Sequence, residues 1–347
     1  MSIRPFDSDS IAVAMERCGI EVWGAFTVGP ESIGWSSLQR RYFECTVVCI
    51  AMPYSVEQAR YQGRRRDDGV LAYIEAFAWN TDYHRDVKAL LGRFDETIRS
   101  IDARFDLPGD VMVDNSGLDD REIALRAGIG LLGRNNLLIN ERYGTRFFIG
   151  YVVYPRRIGD SDGERAASAV TGDAPIWSFR EPPDERFRLP LCKTCRLCVA
   201  RCPTAALESD MSRCISHLTQ TKDEVPESLM PFFENQLYGC SICQQVCPMN
   251  RRKEWSGDSY IDPREILTIS SKRFKEKYGR MGYAWRPLWV YRRNALIVLG
   301  NLGGEAELAW LETLDFSKDE KLAAVAEVTR KRLRNRVLKS DGECYNE

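Results

Sequence analysis

The chain has 347 residues, of which 44% are hydrophobic, and this length and composition predict two or three domains with ordinary apolar cores. It contains no run of 18 or more apolar residues, which argues against a membrane-spanning helix. The first residues, Met-Ser-Ile-Arg-Pro-Phe-Asp, lack the apolar stretch of a secretory signal. We therefore expect a cytoplasmic protein with reduced cysteines and no membrane partner.

The net charge of −1 conceals an uneven distribution. Residues 251–340 carry 20 Lys and Arg against 12 Asp and Glu, whereas residues 1–250 carry 29 against 35. A basic C-terminal segment on an acidic chain indicates contact with a polyanion, and nucleic acid, bound by residues such as Arg292 and Arg293, is the first candidate. Solvated helix faces explain the same charges equally well.

Residues 1–155 alternate between helix and strand patterns, which indicates a mixed α/β domain. Residues 156–190 are polar and rich in turn formers, and they predict a linker. Residues 191–255 form a cysteine-rich module, and residues 256–347 predict an all-helical segment with a HEAT-type helix pair at 292–303 and 305–314. The predicted fold is therefore a multidomain α+β protein. Within the first domain, helices are predicted at 11–18, 71–80, 83–105 and 121–127, and strands at 46–52, 111–113, 136–140 and 146–153.

Seven of the 12 cysteines lie in two short runs. The first run has the spacing C-x2-C-x2-C-x3-C-P, and the second has C-x2-C-x3-C-P. Bacterial ferredoxins hold 4Fe-4S clusters with the first spacing, and the fourth cysteine of such a run ligates the other cluster of a pair. Cys214, between the runs, supplies an eighth thiolate. The sequence thus predicts two 4Fe-4S clusters, one held by Cys192, Cys195, Cys198 and Cys247 and the other by Cys202, Cys214, Cys240 and Cys243.

Zinc is the alternative metal for these cysteines, because C-x2-C pairs also form zinc sites. The prolines after Cys202 and Cys247 and the C-x3-C steps favour a two-cluster ferredoxin-like module instead. Cys18, Cys45, Cys49 and Cys344 have no ligand spacing. Cys45 and Cys49 flank an apolar stretch and are predicted to be buried, inert thiols.

The segment from residue 113 to 135 has the residues of a binding site. Asp114 follows a predicted strand and is either a general acid or a turn cap, and the local sequence favours the cap. Gly128, Gly130 and Gly133 would let the backbone approach a ligand closely, or they would form a tight helix-to-strand turn. The order of elements does not fit a dinucleotide-binding fingerprint.

Taken in order along the chain, these motifs resemble the epoxyqueuosine reductase family, whose members are iron–sulfur and cobalamin-dependent enzymes. The resemblance covers nearly the whole chain. It rests on Val47–Tyr54, Asp82-Tyr83-His84, Val113-Asp114 with Asp120-Arg121, Ala127–Gly130 with Gly133-Arg134-Asn135, Tyr143-Gly144 with Phe148–Gly150, both cysteine runs, Arg213–Ser216, Leu218-Thr219, Arg293–Ala295 and Leu299–Asn301.

The resemblance implies reduction of epoxyqueuosine to queuosine at the wobble position of tRNA. It implies an N-terminal cobalamin-binding α/β domain, the two-cluster module, and a helical tail that helps to hold the anticodon stem-loop. A flavodoxin- or ferredoxin-like partner would donate electrons, and the protein would act as a monomer. Asp114 aligns with the family's proposed acid, which makes catalysis the favoured role for it. The implied cobalamin or substrate pocket comprises Tyr83, His84, Gly128, Gly130, Gly133, Arg134 and Asn135.

Three departures from the family pattern lie beside that implied pocket. The family usually has Pro, Trp and Lys at the positions of Gly117, Leu131 and Arg134. These changes favour an alternative, a divergent corrinoid iron–sulfur reductase that acts on a different substrate such as a small molecule. A non-enzymatic iron–sulfur electron carrier is a third hypothesis, against which stands the retained segment 113–150.

Overall fold

The computed structural model of the protein describes residues 9–29, 38, 41–54, 65–66, 69–114, 116–158, 187–250 and 259–343. Its strands are β1 Trp23–Val28, β2 Cys45–Pro53, β3 Arg65–Arg66, β4 Gly69–Val70, β5 Ala72–Ile74, β6 Asp110–Met112, β7 Leu131–Leu132, β8 Leu138–Ile139, β9 Phe147–Tyr154, β10 Gln236–Tyr238 and β11 Tyr260–Ile261. Its α-helices are α1 Asp9–Arg17, α2 Ala76–Trp79, α3 Tyr83–Ile101, α4 Asp120–Arg126, α5 Leu197–Ala200, α6 Ile215–Leu218, α7 Ile242–Gln245, α8 Pro263–Thr268, α9 Ser271–Tyr278, α10 Leu288–Leu302, α11 Glu305–Glu312 and α12 Glu320–Glu343. Short 3-10 helices span Pro190–Lys193, Met211–Arg213, Glu227–Phe233 and Pro248–Asn250.

The chain forms two compact units that do not follow the linear order of the predicted domains. The first unit consists of Met1–Tyr54, Tyr83–Arg196 and Pro248–Arg252, and the second of Ser55–Asp82, Leu197–Cys247 and Lys253–Glu347. Most of the predicted linker, residues 159–186, lies outside the described residues, as does Cys344.

A four-stranded sheet forms the centre of the first unit. Its strand order is β1-β2-β9-β6, and each neighbouring pair is antiparallel. The two central strands, β2 and β9, are built from long apolar runs, and every residue from Cys45 to Ala51 is buried. Such continuous burial requires cover on both faces of the sheet.

Helices supply that cover on both faces. Val48 and Ile50 point to the face on which α1 and α3 pack, together with apolar side chains of α3 such as Val87 and Leu91. Val47 and Cys49 point to the opposite face, which α4 and the segment after it cover. The apolar positions of α3 recur at helical spacing, so this helix presents one apolar face to the sheet.

Gly150 in β9 lets α3 approach the sheet closely. A Cβ atom at this position would lie 2.3 Å from Cγ1 of Val87 and 3.0 Å from Cδ1 of Leu91. Glycine is therefore required here for close packing, and this packing fixes the start of α3 near the end of the sheet where β6 terminates.

The second unit is mainly helical around α10. This helix is buried along most of its length and packs against α8, α12 and β10. A small sheet of order β10-β5-β11 packs into the same core, with β10 parallel and β11 antiparallel to β5. The mixed α/β character that the sequence predicts is confirmed in the described residues.

Most predicted elements of the first domain are confirmed, since the observed α1, β2, α3, β6, α4, β8 and β9 match them within a few residues. The prediction of one helix at 71–80 is wrong. The backbone N–H groups of Tyr73 and Ile74 donate instead to the carbonyl groups of Asn235 and Ser259, so that tertiary strand pairing overrides a helical pattern. The prediction of an all-helical segment from residue 256 is likewise wrong at β11, and β1 was not predicted. In the described part of the chain, no helix is long and apolar enough to cross a membrane.

Candidate active site

Asp114 lies two residues beyond the end of β6 with a positive φ of 41°, a left-handed backbone conformation that Asp tolerates better than most residues. The Tyr83 hydroxyl donates a hydrogen bond to Oδ2 of this carboxylate. Nε2 of His84 lies 3.3 Å from the same oxygen. The first two residues of α3 therefore converge on the residue for which the sequence predicts acid catalysis.

A stack of aromatic rings holds Tyr83 in this position. Its ring lies parallel to that of Phe148, with a centroid distance of 4.1 Å and an interplanar angle of 5°. It also stacks on His84 at a centroid distance of 4.1 Å, and Tyr54 packs against Phe148 at 5.0 Å with the rings tilted by 45°. Such stacking restricts the ring and thereby fixes the direction of the hydroxyl group.

Asp114 opens onto a pocket of about 570 Å³. The lining combines apolar side chains from β9 with three carboxyl groups and one guanidinium group. Its residues are Tyr83, Asp114, Gly117, Leu118, Asp119, Asp120, Arg121, Phe147, Phe148 and Ile149. A mostly apolar cavity with a few convergent ionisable groups is the usual form of an active site.

Asp120, the first residue of α4, is the second carboxyl group of the pocket. The preceding Asp119 caps the helix, since its side chain accepts from the N–H groups of Arg121 and Glu122. The Tyr151 hydroxyl donates to Oδ1 of Asp120 at 2.7 Å. Burial raises the pKa of Asp120 to about 7, the Tyr151 hydrogen bond lowers it, and a hydrogen bond with Asp114 and the charge of that carboxylate raise it again.

Asp120 belongs to the motif Asp120-Arg121, but the sequence did not predict it as a site residue. The available signal was a second carboxyl group, six residues beyond the first, at the start of a helix that follows a strand. Hydrogen bonds of Ser116 hold the loop between Asp114 and Asp120 in place. Its Oγ lies 2.8 Å from the Tyr151 hydroxyl and accepts from the N–H of Leu118, and its carbonyl accepts from Arg41 at 3.1 Å.

The glycines of the segment 127–135 lie against the β7–β8 hairpin. A Cβ atom at Gly130 would lie 2.5 Å from the carbonyl oxygen of Ile139, and one at Gly133 would lie 2.6 Å from Oδ1 of Asn135. Gly128 has a positive φ of 71° at the end of α4. These contacts account for the glycines as turn and packing residues, and none of the three is among the residues that line the described pocket.

Arg134 connects this segment to the first cysteine run. Its Nε and Nη2 donate to the carbonyl oxygen of Cys192 at 3.0 and 2.7 Å, and Nη2 also donates to that of Lys193 at 3.3 Å. The forked guanidinium makes both bonds to one oxygen, which a lysine cannot do. Beside it, Asn135 is 6% exposed, and its Nδ2 has no hydrogen-bond partner within the described ranges.

Cys240, one of the predicted cluster ligands, lies in the second unit within reach of the charges of two others. Burial raises the pKa of the Cys240 thiol well above its usual range, and the neighbouring charges of Glu75, Cys243 and Cys214 act in the same direction. Cys240 also packs against an apolar cluster that contains Phe233. Thiols so placed, on separate chain segments and partly screened from water, suit an iron–sulfur cluster.

None of the eight predicted ligand cysteines, all of which the structure describes, forms a disulfide. Within the described ranges, no three His, Cys, Asp or Glu side chains are grouped so as to hold a single metal ion. Cys45 and Cys49 are fully buried, which confirms the prediction for both. Burial is the main cause that raises the pKa of each thiol above its usual range.

Of the two basic residues that the sequence suggested for RNA contact, Arg293 is wrong for that role. Arg293 is 3% exposed, and its guanidinium donates to the carbonyl groups of Leu218, Thr221 and Asp223. Arg292 is half-buried and donates to the carbonyl of Ile269 at 2.7 Å. Both side chains hold the second unit together, because each satisfies buried carbonyl groups.

Two protein-family models match the chain. One, described as a 4Fe-4S double cluster binding domain, matches residues 191–250. The other, described as epoxyqueuosine reductase QueG, matches residues 44–115. The matched segments contain all eight predicted cluster ligands in the first case and Tyr83, His84 and Asp114 in the second.

Curated relatives and solved structures agree with these matches. The chain is 34% identical to the epoxyqueuosine reductase of Staphylococcus aureus over 65% of its own length and 55% of that protein, and 32% identical to that of Listeria monocytogenes over 73% and 62%. It thus spans little more than half the length of these relatives. A crystal structure of epoxyqueuosine reductase with an epoxyqueuosine-modified tRNA-Tyr stem loop has the same fold, with a TM-score of 0.71 and 24% identity over 94% of this chain and 89% of that one.

Proposed function

The chain belongs to the epoxyqueuosine reductase family, and on that premise we propose that it reduces the epoxide of epoxyqueuosine in tRNA to the alkene of queuosine. The observation that carries the proposal is the placement of Asp114. This carboxylate accepts from Tyr83 and faces a pocket in the segment that the family model matches. A proton donor in a largely apolar pocket is what the departure of an epoxide oxygen as water requires.

The cysteines fit two 4Fe-4S clusters with the ligand sets that the spacing predicts. The influence of the Cys214 and Cys243 charges on the pKa of Cys240 supports the second set. Clusters of this type transfer single electrons, and a flavodoxin- or ferredoxin-like protein is the donor that we propose. Arg134 would keep the backbone of Cys192 in place for the first set.

Cobalamin is the second cofactor that we propose, and within the segment 128–135 the side chain of Asn135 supports it. The buried Nδ2 of Asn135, for which the described residues provide no acceptor, would gain one from a bound ligand, and an unsatisfied buried donor costs about 1–3 kcal/mol. Cobalamin, when bound, supplies a low-valent cobalt that can act on an epoxide carbon. Tyr83 and His84 would orient Asp114 towards the oxygen of the same epoxide.

Exposed basic residues of the second unit support tRNA as the partner. Lys272 and Lys275 are exposed on α9, Arg280 follows that helix, and Lys331 is exposed on α12. Such side chains bind phosphate groups without reading sequence, as a stem-loop partner requires. The solved relative with a tRNA stem loop supports the same assignment.

Anaerobic reconstitution with iron, sulfide and cobalamin tests the proposal. We expect about eight irons per chain, bound cobalt, and conversion of epoxyqueuosine-containing tRNA with a chemical reductant. Asp114→Ala should reduce turnover at least about 100-fold and leave the iron content unchanged, because it removes only the proton donor.

The matched control is Glu96→Gln, which removes an exposed carboxylate of α3 and should leave turnover at the wild-type level. Full activity of Asp114→Ala would remove this residue from the mechanism. A loaded protein that leaves the RNA unchanged would contradict the proposed substrate and would favour a reductase that acts on another molecule.

A further inference from the structure

We propose that Asp120 is a positioning residue that holds a proton and passes it to Asp114, so that this carboxyl pair takes up protons from solvent and delivers the two protons of the reaction one after the other. The inference rests on the proposed function, because it assigns a role within that reaction. No sequence motif assigned Asp120 to the site; its place in the pocket does.

The stoichiometry of the reaction demands two protons. An epoxide, two electrons and two protons give a carbon–carbon double bond and one water molecule. The first proton joins the oxygen when the first carbon–oxygen bond breaks, and the second joins the same oxygen when it leaves as water. The electrons come from the reduced cofactors of the proposed function. A single carboxyl group delivers one proton at a time and must be reprotonated before the second bond breaks.

The geometry places Asp120 where it can reprotonate Asp114. Both side chains line the pocket of about 570 Å³, and the Asp114 carboxyl group is near enough to hydrogen-bond with Asp120 and thereby to raise its pKa. Two carboxyl groups can share such a bond only when one of them carries a proton. The Tyr151 hydroxyl binds the other side of Asp120 at 2.7 Å and is itself held by Ser116, so the carboxyl group keeps its orientation.

The surroundings of the pair favour one bound proton at neutral pH. Burial raises the pKa of Asp120 to about 7, and the nearby carboxylates of Asp114 and Asp119 act in the same direction. One positively charged side chain, that of Arg121, lines the same pocket. The groups that face the pair are Asp119 at the N-cap of α4, Arg121 from α4, Tyr151 from β9, Cys49 from β2, Ser116 from the loop, and Tyr83 and His84 from α3.

The pH dependence of turnover tests this role. The wild-type rate should fall above pH about 7, where Asp120 loses its proton. Asp120→Asn keeps the size and the hydrogen-bond acceptor but holds no acidic proton. We expect kcat to fall by about 10- to 100-fold, KM to change little, and the fall above pH 7 to disappear. In Asp120→Glu, the decrease of turnover above pH 7 and most of the wild-type kcat should return.

The variant Tyr151→Phe provides a second test, in which the pH dependence should shift and not disappear. The Tyr151 hydrogen bond lowers the pKa of Asp120, so its removal should move the fall in rate to a higher pH. Asp114→Asn should move the titration of Asp120 to a lower pH, because the neighbouring negative charge is removed. A merely structural role of Asp120 would leave the pH profile of turnover in Tyr151→Phe unchanged.

Infrared difference titration of the substrate-free protein measures the proton directly. The wild type should lose a protonated-carboxyl band near pH 7, and this band should be absent in Asp120→Asn. Burial also raises the pKa of Glu122 to about 7, so Glu122→Gln is the matched control and should retain the band that depends on Asp120.

Unchanged kcat and an unchanged pH profile in Asp120→Asn would overturn the inference. Absence of a carboxyl band that depends on Asp120 would overturn it as well, whatever the rate. A wild-type protein that fails to turn over the RNA would contradict the proposed function, whereas the infrared titration would still decide whether the pair holds the proton.

Discussion

At the scale of single residues, the site depends on contacts between positions far apart in the chain. Asp114 contacts Tyr83, from which it is separated by 31 positions in the sequence, and Asp120 contacts Tyr151 at the same separation of 31. Sequence spacing reveals neither contact. The cysteine runs differ, because their ligands are close in sequence and the spacing itself carries the chemistry. The ligand prediction could therefore be made from the sequence, whereas the role of Asp120 could not.

The raised pKa of Asp120 has a consequence for stability. Between its ordinary value of 3.8 and about 7, the folded chain holds a proton at this site that the unfolded chain has released. The contribution of Asp120 to the free energy of unfolding therefore falls as the pH rises through this range. Asp120→Asn should be more stable than the wild type at pH 8 by about 2 kcal/mol, since partial solvent contact weakens the full effect.

Denaturant unfolding at pH 5 and pH 8 checks this expectation. The gain should be smaller at pH 5, where the wild-type carboxyl is already protonated. An equal gain at both values would mean that Asp120 titrates near its ordinary pKa in the folded protein.

At the scale of elements, helix α3 positions the site through its packing on the sheet. Gly150→Ala would force α3 away from β9, because the added methyl group would lie 2.3 Å from Val87. We expect the free energy of unfolding to decrease by about 2 kcal/mol. Turnover should fall as well, since Tyr83 and His84 begin the displaced helix.

Gly92→Ala is the control on the same helix. A Cβ atom at Gly92 meets nothing within 4 Å, and alanine should stabilise the helix by up to about 1 kcal/mol without a change in turnover. Circular dichroism melts and turnover assays of both variants separate the two effects. If Gly150→Ala changed neither the stability nor the turnover, α3 could shift without moving the site.

The elements also explain which structural predictions failed. The helical pattern of residues 71–80 is real, but Ala72–Ile74 pairs with β10 and β11, which lie more than 150 residues away. Pairing at such distance leaves no local mark in the sequence. Arg293 is a similar case, because its place in a basic segment predicts contact with RNA, whereas its side chain donates to three carbonyl groups.

At the scale of the whole molecule, positive charge is concentrated in residues 251–340, which we propose as the segment that binds RNA. Replacing exposed Lys272 and Lys275 by alanine should weaken tRNA binding and lower the slope of log affinity against log salt by about 1 for each phosphate group that is no longer neutralised. Arg93→Ala, which removes an exposed charge from α3 in the first unit, should change neither quantity. Binding titrations at several salt concentrations measure both, and an unchanged slope in the double variant would place the RNA elsewhere.

Each unit combines segments that are distant in sequence. The order of synthesis therefore determines when each unit can fold. The first unit needs residues 248–252, and the second combines residues 55–82 with segments that follow much later in the chain. Strand β5 must wait for β10 and β11 to leave the ribosome before its sheet can form. Neither unit is complete when the cysteine runs have just been made, so stable cluster insertion is expected late in synthesis, after long-range pairing has closed both units.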